Sequence, residues 1–337
     1  MERGDPEVQV TRPRVCVLAT GGTIATVTRG DRVSLRTGEE LLAEVPEADE
    51  LAALECRDLL RLPSHLMGLD AVELVARTAV MEAAREDIGG VVVLHGTDIL
   101  EEVAFLADLW HGGDDPIVFT GAQRPAGHPV GDGPANIRDA ILVAASEVAR
   151  DVGVLVCLGG TVIPAAAAGK RHTASLEPFG PARATVGQVA GDAFLRHQAV
   201  ARRDAWPVAP LGHRVDLVRL AAGTDGALVR AAADAGAAGI VLEAFGAGTA
   251  PMDVVTAVDD VTRRGTIVLL ASRCESGGVW SQPGDGSANH FAAVGAVAVG
   301  DLDGAKARML LLAALATSGG DPEATRKAIE ALTPTPA

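Results

Sequence analysis

The 337-residue chain is 48% apolar and 22% charged, the balance of a soluble globular protein about two average domains long. Its 29 basic residues face 44 acidic ones, a net charge of −15, so most of the surface repels phosphate backbones, and nucleic acid and anionic membranes are poor partners for it. Aromatics make up 3% and tyrosine is absent, which argues against a base-stacking surface and excludes any step needing a tyrosine from this chain.

The N-terminal segment is polar and acidic, without the basic start and apolar stretch of a signal peptide. No run approaches the roughly 18 to 20 apolar residues of a membrane span, and the richest, Met309–Ala316, reads as a buried helix. Cys16, Cys56, Cys157 and Cys274 form no CxxC pair and are expected as buried free thiols in a reducing compartment. A cytoplasmic location fits these features.

Val15–Ala19, Gly90–Leu94, Pro116–Thr120 and Gly153–Leu158 read as strands, with Leu54–Leu62 also strand-like. Helical stretches lie at Asp70–Glu86, Leu100–Trp110 and Pro134–Val148, the first with Val72, Val75, Ala76, Ala79 and Val80 on one face. Strands apolar throughout and separated by helices predict a parallel-rich sheet covered on both faces, with its site at the carboxyl ends of the strands. Trp206, Pro207, Pro210 and Gly212 mark a linker over 204–214. Beyond it, Val215–Leu220, Gly239–Leu242 and Thr266–Leu270 read as strands, with helices near Asp225–Ala235 and Pro251–Arg263. The segment Asp303–Leu332 is helical and broken at Ser318-Gly319-Gly320. The expected fold is α/β: a larger N-terminal domain (1–203) and a smaller C-terminal α/β domain (215–337).

Four segments could carry chemistry. Thr20-Gly21-Gly22-Thr23-Ile24-Ala25 follows the first strand, and its glycines admit close approach of a ligand to backbone amides. It is either a tight strand exit or a turn presenting a threonine nucleophile; no GxGxxG or GxxxxGK[ST] pattern accompanies it. His95-Gly96-Thr97-Asp98 ends the next strand, where Thr97 or Asp98 is a good helix N-cap, and equally a hydroxyl beside a carboxylate that holds a polar substrate. His95 there reads as a packed strand-end residue. Lys170 is one of only three lysines beside 26 arginines, and unlike arginine a lysine can release its proton when partly buried. An exposed lysine is the competing reading. Ser64-His65 offers a hydroxyl and an imidazole, or plain loop chemistry. Thr120-Gly121-Ala122-Gln123-Arg124-Pro125 and Asp132-Gly133-Pro134-Ala135-Asn136 read as a turn and a helix start, with Asp132 capping.

In combination these residues resemble the bacterial-type L-asparaginases, the asparaginase/glutaminase family. The resemblance rests on TGGTIA at Thr20–Ala25, HGTD with LEE at His95–Glu102, TGAQRP and DGPANIRDA within Thr120–Ala140, and Lys170 followed by His172-Thr173, in family order. The second half matches more loosely, at Glu243–Gly248 and Ala271-Ser272-Arg273.

The resemblance implies amide hydrolysis through a threonine acyl-enzyme, without cofactor, metal or ATP. Thr23 is then the nucleophile, and Thr97, Asp98 and Lys170 form a second catalytic cluster in which Lys170 assists proton transfer. Asp98 binds the substrate α-ammonium, Ser64 and its neighbours hold the α-carboxylate, and Gly22, His65, Thr97 and Ala122 line the substrate. The substrate is a small amino-acid amide, L-asparagine foremost, and the assembly a homodimer or homotetramer. Three departures from the family pattern stand out. The loop Thr26–Gly38, where members carry an activating tyrosine, offers Thr28, Arg29, Asp31, Arg32, Ser34 and Thr37. His65 replaces the usual glutamine, and Thr249 the usual asparagine. A relative acting on glutamine or a larger amide, and a silent amino-acid-binding relative, are the alternatives.

Overall fold

Alternate residues of the first strand are buried on opposite sides of a sheet. Val15 and Val17 join one apolar cluster and Cys16 and Leu18 another, all fully buried. That two-sided burial is why the strands lack polar alternation. The computed structural model describes residues 12–30 and 32–332.

The first half runs β1 (Arg14–Gly21), β2 (Thr26–Arg29), β3 (Arg32–Leu35), α1 (Gly38–Leu42), α2 (Ala48–Leu51) and β4 (Ala53–Leu62). It continues through α3 (Leu69–Ala83), β5 (Gly90–Leu94), α4 (Leu100–Trp110), β6 (Ile117–Thr120), α5 (Gly133–Ala144), β7 (Val154–Leu158) and β8 (Thr161–Pro164). Two short ladders complete it: β9 (Gly169–Lys170) with β10 (Phe179–Gly180), and β11 (Gly187–Ala190) with β12 (Ala193–Arg196). The second half comprises β13 (Val215–Arg219), α6 (Ala227–Asp234), β14 (Gly239–Ala244), α7 (Met252–Arg263) and β15 (Ile267–Ser272). It ends with α8 (Ala288–Ala293), β16 (Val297–Ala298), α9 (Gly304–Thr317) and α10 (Pro322–Leu332).

The large sheet has the order β12-β11-β8-β7-β6-β5-β1-β4, with β4, β1, β5, β6 and β7 parallel and the rest antiparallel. Helices α3 and α4 cover one face, and α1, α2 and α5 the other. A second, fully parallel sheet has the order β13-β14-β15-β16. Helix α9 is apolar almost all round because it is enclosed: Leu310 to Leu315 share one core with α4 and with Val241 and Leu269 of the second sheet. The expected two-sheet α/β architecture is observed. Residues 201–213 carry no regular structure and lie along the first half, with the Trp206 amide donating to Leu109 O and the Leu211 amide to Glu73.

Four local expectations are corrected. Helix α3 ends at Ala83 rather than Glu86, where Arg85 turns back to pair with Glu55, Glu82 and Asp87. Helix α5 ends at Ala144 rather than Val148; its last carbonyl packs on Gly90, where a Cβ would lie 2.1 Å from Ala144 O. The segment expected as a loop after Thr23 contains the β2–β3 hairpin, while Asp31 lies outside the described residues. Of the four cysteines only Cys16 and Cys157 are buried; Cys56 is half-buried and Cys274 exposed, because its loop follows β15 at the surface. Among the described residues no helix is long and apolar enough to cross a membrane.

Candidate active site

The chain leaves β1 for the edge strand β4 and returns to β5 on the other side, so β1 and β5 flank the point where the strand order reverses. Ligands of open parallel sheets bind at the carboxyl ends of such a pair. Ala19 is level with Leu94 and Leu94 with Thr120, so the segments after β1, β5 and β6 emerge side by side. The Thr20 hydroxyl donates to Leu94 O at 2.9 Å and the Thr120 hydroxyl to Cys157 O at 2.7 Å, which fixes the strand ends.

The loops after β1 and β5 cross at two glycines. A Cβ on Gly22 would fall 2.3 Å from the Gly96 Cα, and one on Gly96 would fall 2.5 Å from the Ser64 Oγ. Gly22 also has φ 80°, a conformation that disfavours side chains. Their neighbours Thr23 and Thr97 are thereby held on adjoining turns. Thr23 opens a short helical turn (Thr23–Ala25), is half-buried, and its hydroxyl has no partner among the described residues.

Thr97 is buried and its Oγ1 accepts from Lys170 Nζ at 2.8 Å and from Gln123 Nε2 at 3.3 Å. Lys170 Nζ also donates to Asp98 Oδ1 at 2.9 Å, and this hydrogen bond holds the Asp98 carboxyl below its ordinary pKa. Neither Thr97 nor Asp98 caps α4: the N-cap is Ile99, without a side-chain bond, since both side chains are committed to Lys170. The exposed-lysine alternative fails as well, because Lys170 is pinned in β9 with its side chain only 18% exposed. Its main-chain N–H donates to Glu101 Oε1 at 3.3 Å.

Ser64 is buried and its Oγ accepts from the Asp98 amide at 3.3 Å. His65 Nδ1 lies 3.7 Å from Asp98 Oδ2, with both side chains more than half exposed, so the site opens to solvent here. Ala122 is buried in the core against α5, next to Gln123, which reaches Thr97. His95 is fully buried beneath the cluster, its Nδ1 donating to Gly96 O at 2.7 Å, and burial pushes its pKa down to about 4. It is a packing residue. Thr23, Thr97, Asp98, Lys170, Gly22, Ser64 and His65 are therefore gathered on adjoining loops from positions spread over the first half of the chain.

Asp132 does not cap α5 through its side chain; its carboxylate accepts from the Gln123 and Arg124 amides at 2.8 and 2.9 Å, bracing the loop after β6. Asn136 completes the brace, donating to Gly121 O at 2.9 Å and accepting from the Gly159 amide at 3.0 Å. Sequence reasoning missed Asn136 and Glu101 as supports of the site. A polar residue on the apolar face of a helix was the available signal for Asn136. Thr249, further on, donates to Phe245 O at 3.3 Å within its own turn. The histidines, cysteines and acids gather only once among the described residues, at Cys16, Glu55 and Glu82. There Arg57 and Arg85 already neutralise the carboxylates, leaving no vacancy for a metal.

The family model Asparaginase, N-terminal matches residues 14–201. The chain belongs to the asparaginase family. The Glutaminase/Asparaginase C-terminal domain model matches residues 214–329. An L-asparaginase of Bacillus licheniformis is 30% identical over 90% of this chain and 96% of its own length. A glutaminase-asparaginase of Pseudomonas fluorescens biotype A is 27% identical over 95% of this chain and 91% of its own. Among solved structures, a probable cytoplasmic L-asparaginase from Campylobacter jejuni superposes with a TM-score of 0.85 at 26% identity, covering 96% of this chain and all of that one. Family and fold thus agree with what the motifs implied, and the matched regions include every residue of the cluster.

Proposed function

We propose that this asparaginase-family chain is an amidohydrolase that converts L-asparagine to L-aspartate and ammonia through an acyl-enzyme on Thr23. The observation that carries the reading is the single ammonium of Lys170 bridging Thr97 Oγ1 and Asp98 Oδ1. A hydroxyl has one hydrogen to give and two lone pairs. With both acceptor positions of Thr97 taken by Lys170 and Gln123, its own hydrogen is left to donate to a substrate.

In this mechanism the Thr23 oxygen attacks the side-chain carbonyl and the C–N bond breaks. The proton lost by Thr23 ends on the departing ammonia, leaving a β-aspartyl ester. Water then attacks the ester, with Thr97 orienting it, and restores the threonine. Lys170 assists the proton transfers and, by donating to Thr97, helps that hydroxyl steady the developing oxyanion, since preorganised donors of this kind are the main catalytic resource of acyl transfer. Ionised Asp98 receives the α-ammonium. Ser64, whose lone pair holds the Asp98 amide, keeps its hydrogen for the α-carboxylate. Gly22, His65 and Ala122 line the substrate.

A second reading, glutamine as the preferred substrate, is favoured by the glutaminase-asparaginase relative and by His65 beside the substrate-facing carboxylate. Ammonia release from L-asparagine and L-glutamine, side by side without ATP, tests both. Release mainly from asparagine supports the first reading and release mainly from glutamine the second. No release from either, with amino-acid binding intact by calorimetry, overturns both in favour of a silent binding protein. We further propose a two-domain organisation (1–203 and 215–337, joined by 204–214), a homodimer or homotetramer, and a cytoplasmic location.

A further inference from the structure

The three lysines of the chain include one with no evident surface role: Lys306 is 2% exposed. It lies in the first turn of α9, where its amide donates to Asp303 Oδ1 at 2.9 Å and its ammonium pairs with Asp303 Oδ2. Taking an ammonium out of water is costly, and the Asp303 carboxylate offsets that cost here. The Asp303 carboxylate reaches the strand carrying the central lysine, since a Cβ on Gly169 would stand 3.7 Å from Asp303 Oδ2. From the other side Glu101, in the first turn of α4, accepts the Lys170 main-chain N–H.

Glu101 also has a loose end. Its second oxygen, Oε2, is buried with no hydrogen-bond partner among the described residues. Burial raises its pKa, an effect that Lys306 opposes and Asp303 reinforces. The α9 N-terminus is in turn fastened to the second sheet, because the Gly304 amide donates to buried Glu243 Oε1 at 3.3 Å. Glu243 itself pairs with Arg219 at 3.0 Å. Arg219 and Glu243 thus fasten the start of α9 to the second sheet, and Asp303 there packs beside Gly169, next to the Lys170 main-chain N–H that Glu101 holds.

We propose that Glu101 is a positioning residue for Lys170, and that the Asp303–Lys306 pair at the start of α9 holds the Glu101–Lys170 contact in place. The C-terminal half of the chain then sets where the Lys170 ammonium sits between Thr97 and Asp98. This inference rests on the proposed role of Lys170 in hydrolysis, but its test does not.

With only three lysines, the side-chain ammonium signals of a selectively 13C,15N-lysine-labelled protein are assignable by single substitutions, the exposed Lys327→Met serving as control. Two variants probe the link. Glu101→Leu removes the acceptor of the Lys170 N–H, and Asp303→Asn keeps a capping side chain while removing the carboxylate that Lys306 pairs with. The Lys170 signal is expected to move in both, and to stay in place in Lys327→Met. Where ammonia release is measurable, kcat is expected to fall about tenfold in Glu101→Leu with KM changing less than threefold, and Glu101→Gln, which retains a carbonyl acceptor, is expected to restore it. A Lys170 signal unmoved in both folded variants overturns the proposal. Failure of the wild-type protein to release ammonia overturns the hydrolase reading alone, and the lysine spectra still decide the positioning.

Discussion

Lys170 and Thr97 are 73 residues apart in sequence, yet the lysine ammonium donates to the threonine hydroxyl at 2.8 Å. Asp98 holds the same ammonium at 2.9 Å, so one point charge is shared between a hydroxyl and a carboxylate on consecutive residues. Lys170→Met removes that charge and is expected to lower the rate of ammonia release by roughly 100-fold or more, the cost of losing a preorganised donor. Lys170→Arg is expected to rescue little, because a planar guanidinium does not place one nitrogen at both partners. Steady-state kinetics on the two variants check this.

The Gly22–Gly96 crossing is a steric requirement with a built-in comparison. Gly22→Ala puts a Cβ into the Gly96 backbone at a φ of 80°, and is expected to cost about 3 kcal/mol in urea unfolding. Gly30→Ala shares a positive φ, 59°, but meets nothing within 4 Å, and is expected to cost only about 1 kcal/mol. Equal costs would show that backbone conformation, not the crossing, decides the glycine.

Asn136 braces three segments from one buried amide. Asn136→Ala leaves Gly121 O and the Gly159 N–H without their partners and is expected to cost about 3 kcal/mol. The same change frees the loop that carries Gln123 toward Thr97, so turnover is expected to fall beyond what lost protein concentration explains. Thermal unfolding and activity per folded molecule separate the two effects.

A fully buried histidine and a half-buried glutamate give the stability a pH signature of opposite signs. His95 is held down at about 4 by burial, so the unfolded chain binds its proton first and stability falls as pH drops from about 6.5 to 4. Glu102 is pushed up to about 7 by burial, with the Glu101 charge adding to it, so stability falls as pH rises from about 4.5 to 7. Between these limits the two slopes offset one another. Glu102→Gln is expected to leave stability rising with pH across the window, and His95→Gln to leave it falling. Urea midpoints at several pH values check both signs.

The apolar strands, the parallel-rich sheet and the placing of motifs at strand ends were legible because they depend on local composition and period, whereas the strand order and its reversal between β1 and β5 came only from the structure. The two-sided burial of Val15–Leu18 and the enclosure of α9 follow from the same pattern. What escaped is set by long-range partners. Thr97 and Asp98 have good capping chemistry but spend it on Lys170, and Asp132 turns to the Gln123 and Arg124 amides instead of its own helix. Glu101 looked like an ordinary acid at a helix start, where the helix dipole alone would favour one. Its bond to the Lys170 backbone depends on a contact 69 residues away. Cys274 was misjudged because thiol burial depends on the course of its loop, which composition does not encode.

The most direct test of the central claim is ammonia release from L-asparagine by purified wild-type protein and Thr23→Ala at equal folded concentration. Steady release is expected from the wild type and none above background from Thr23→Ala, with unfolding transitions that coincide. Release from Thr23→Ala at the wild-type rate would contradict the assignment of Thr23 as nucleophile and, with it, the acyl-enzyme.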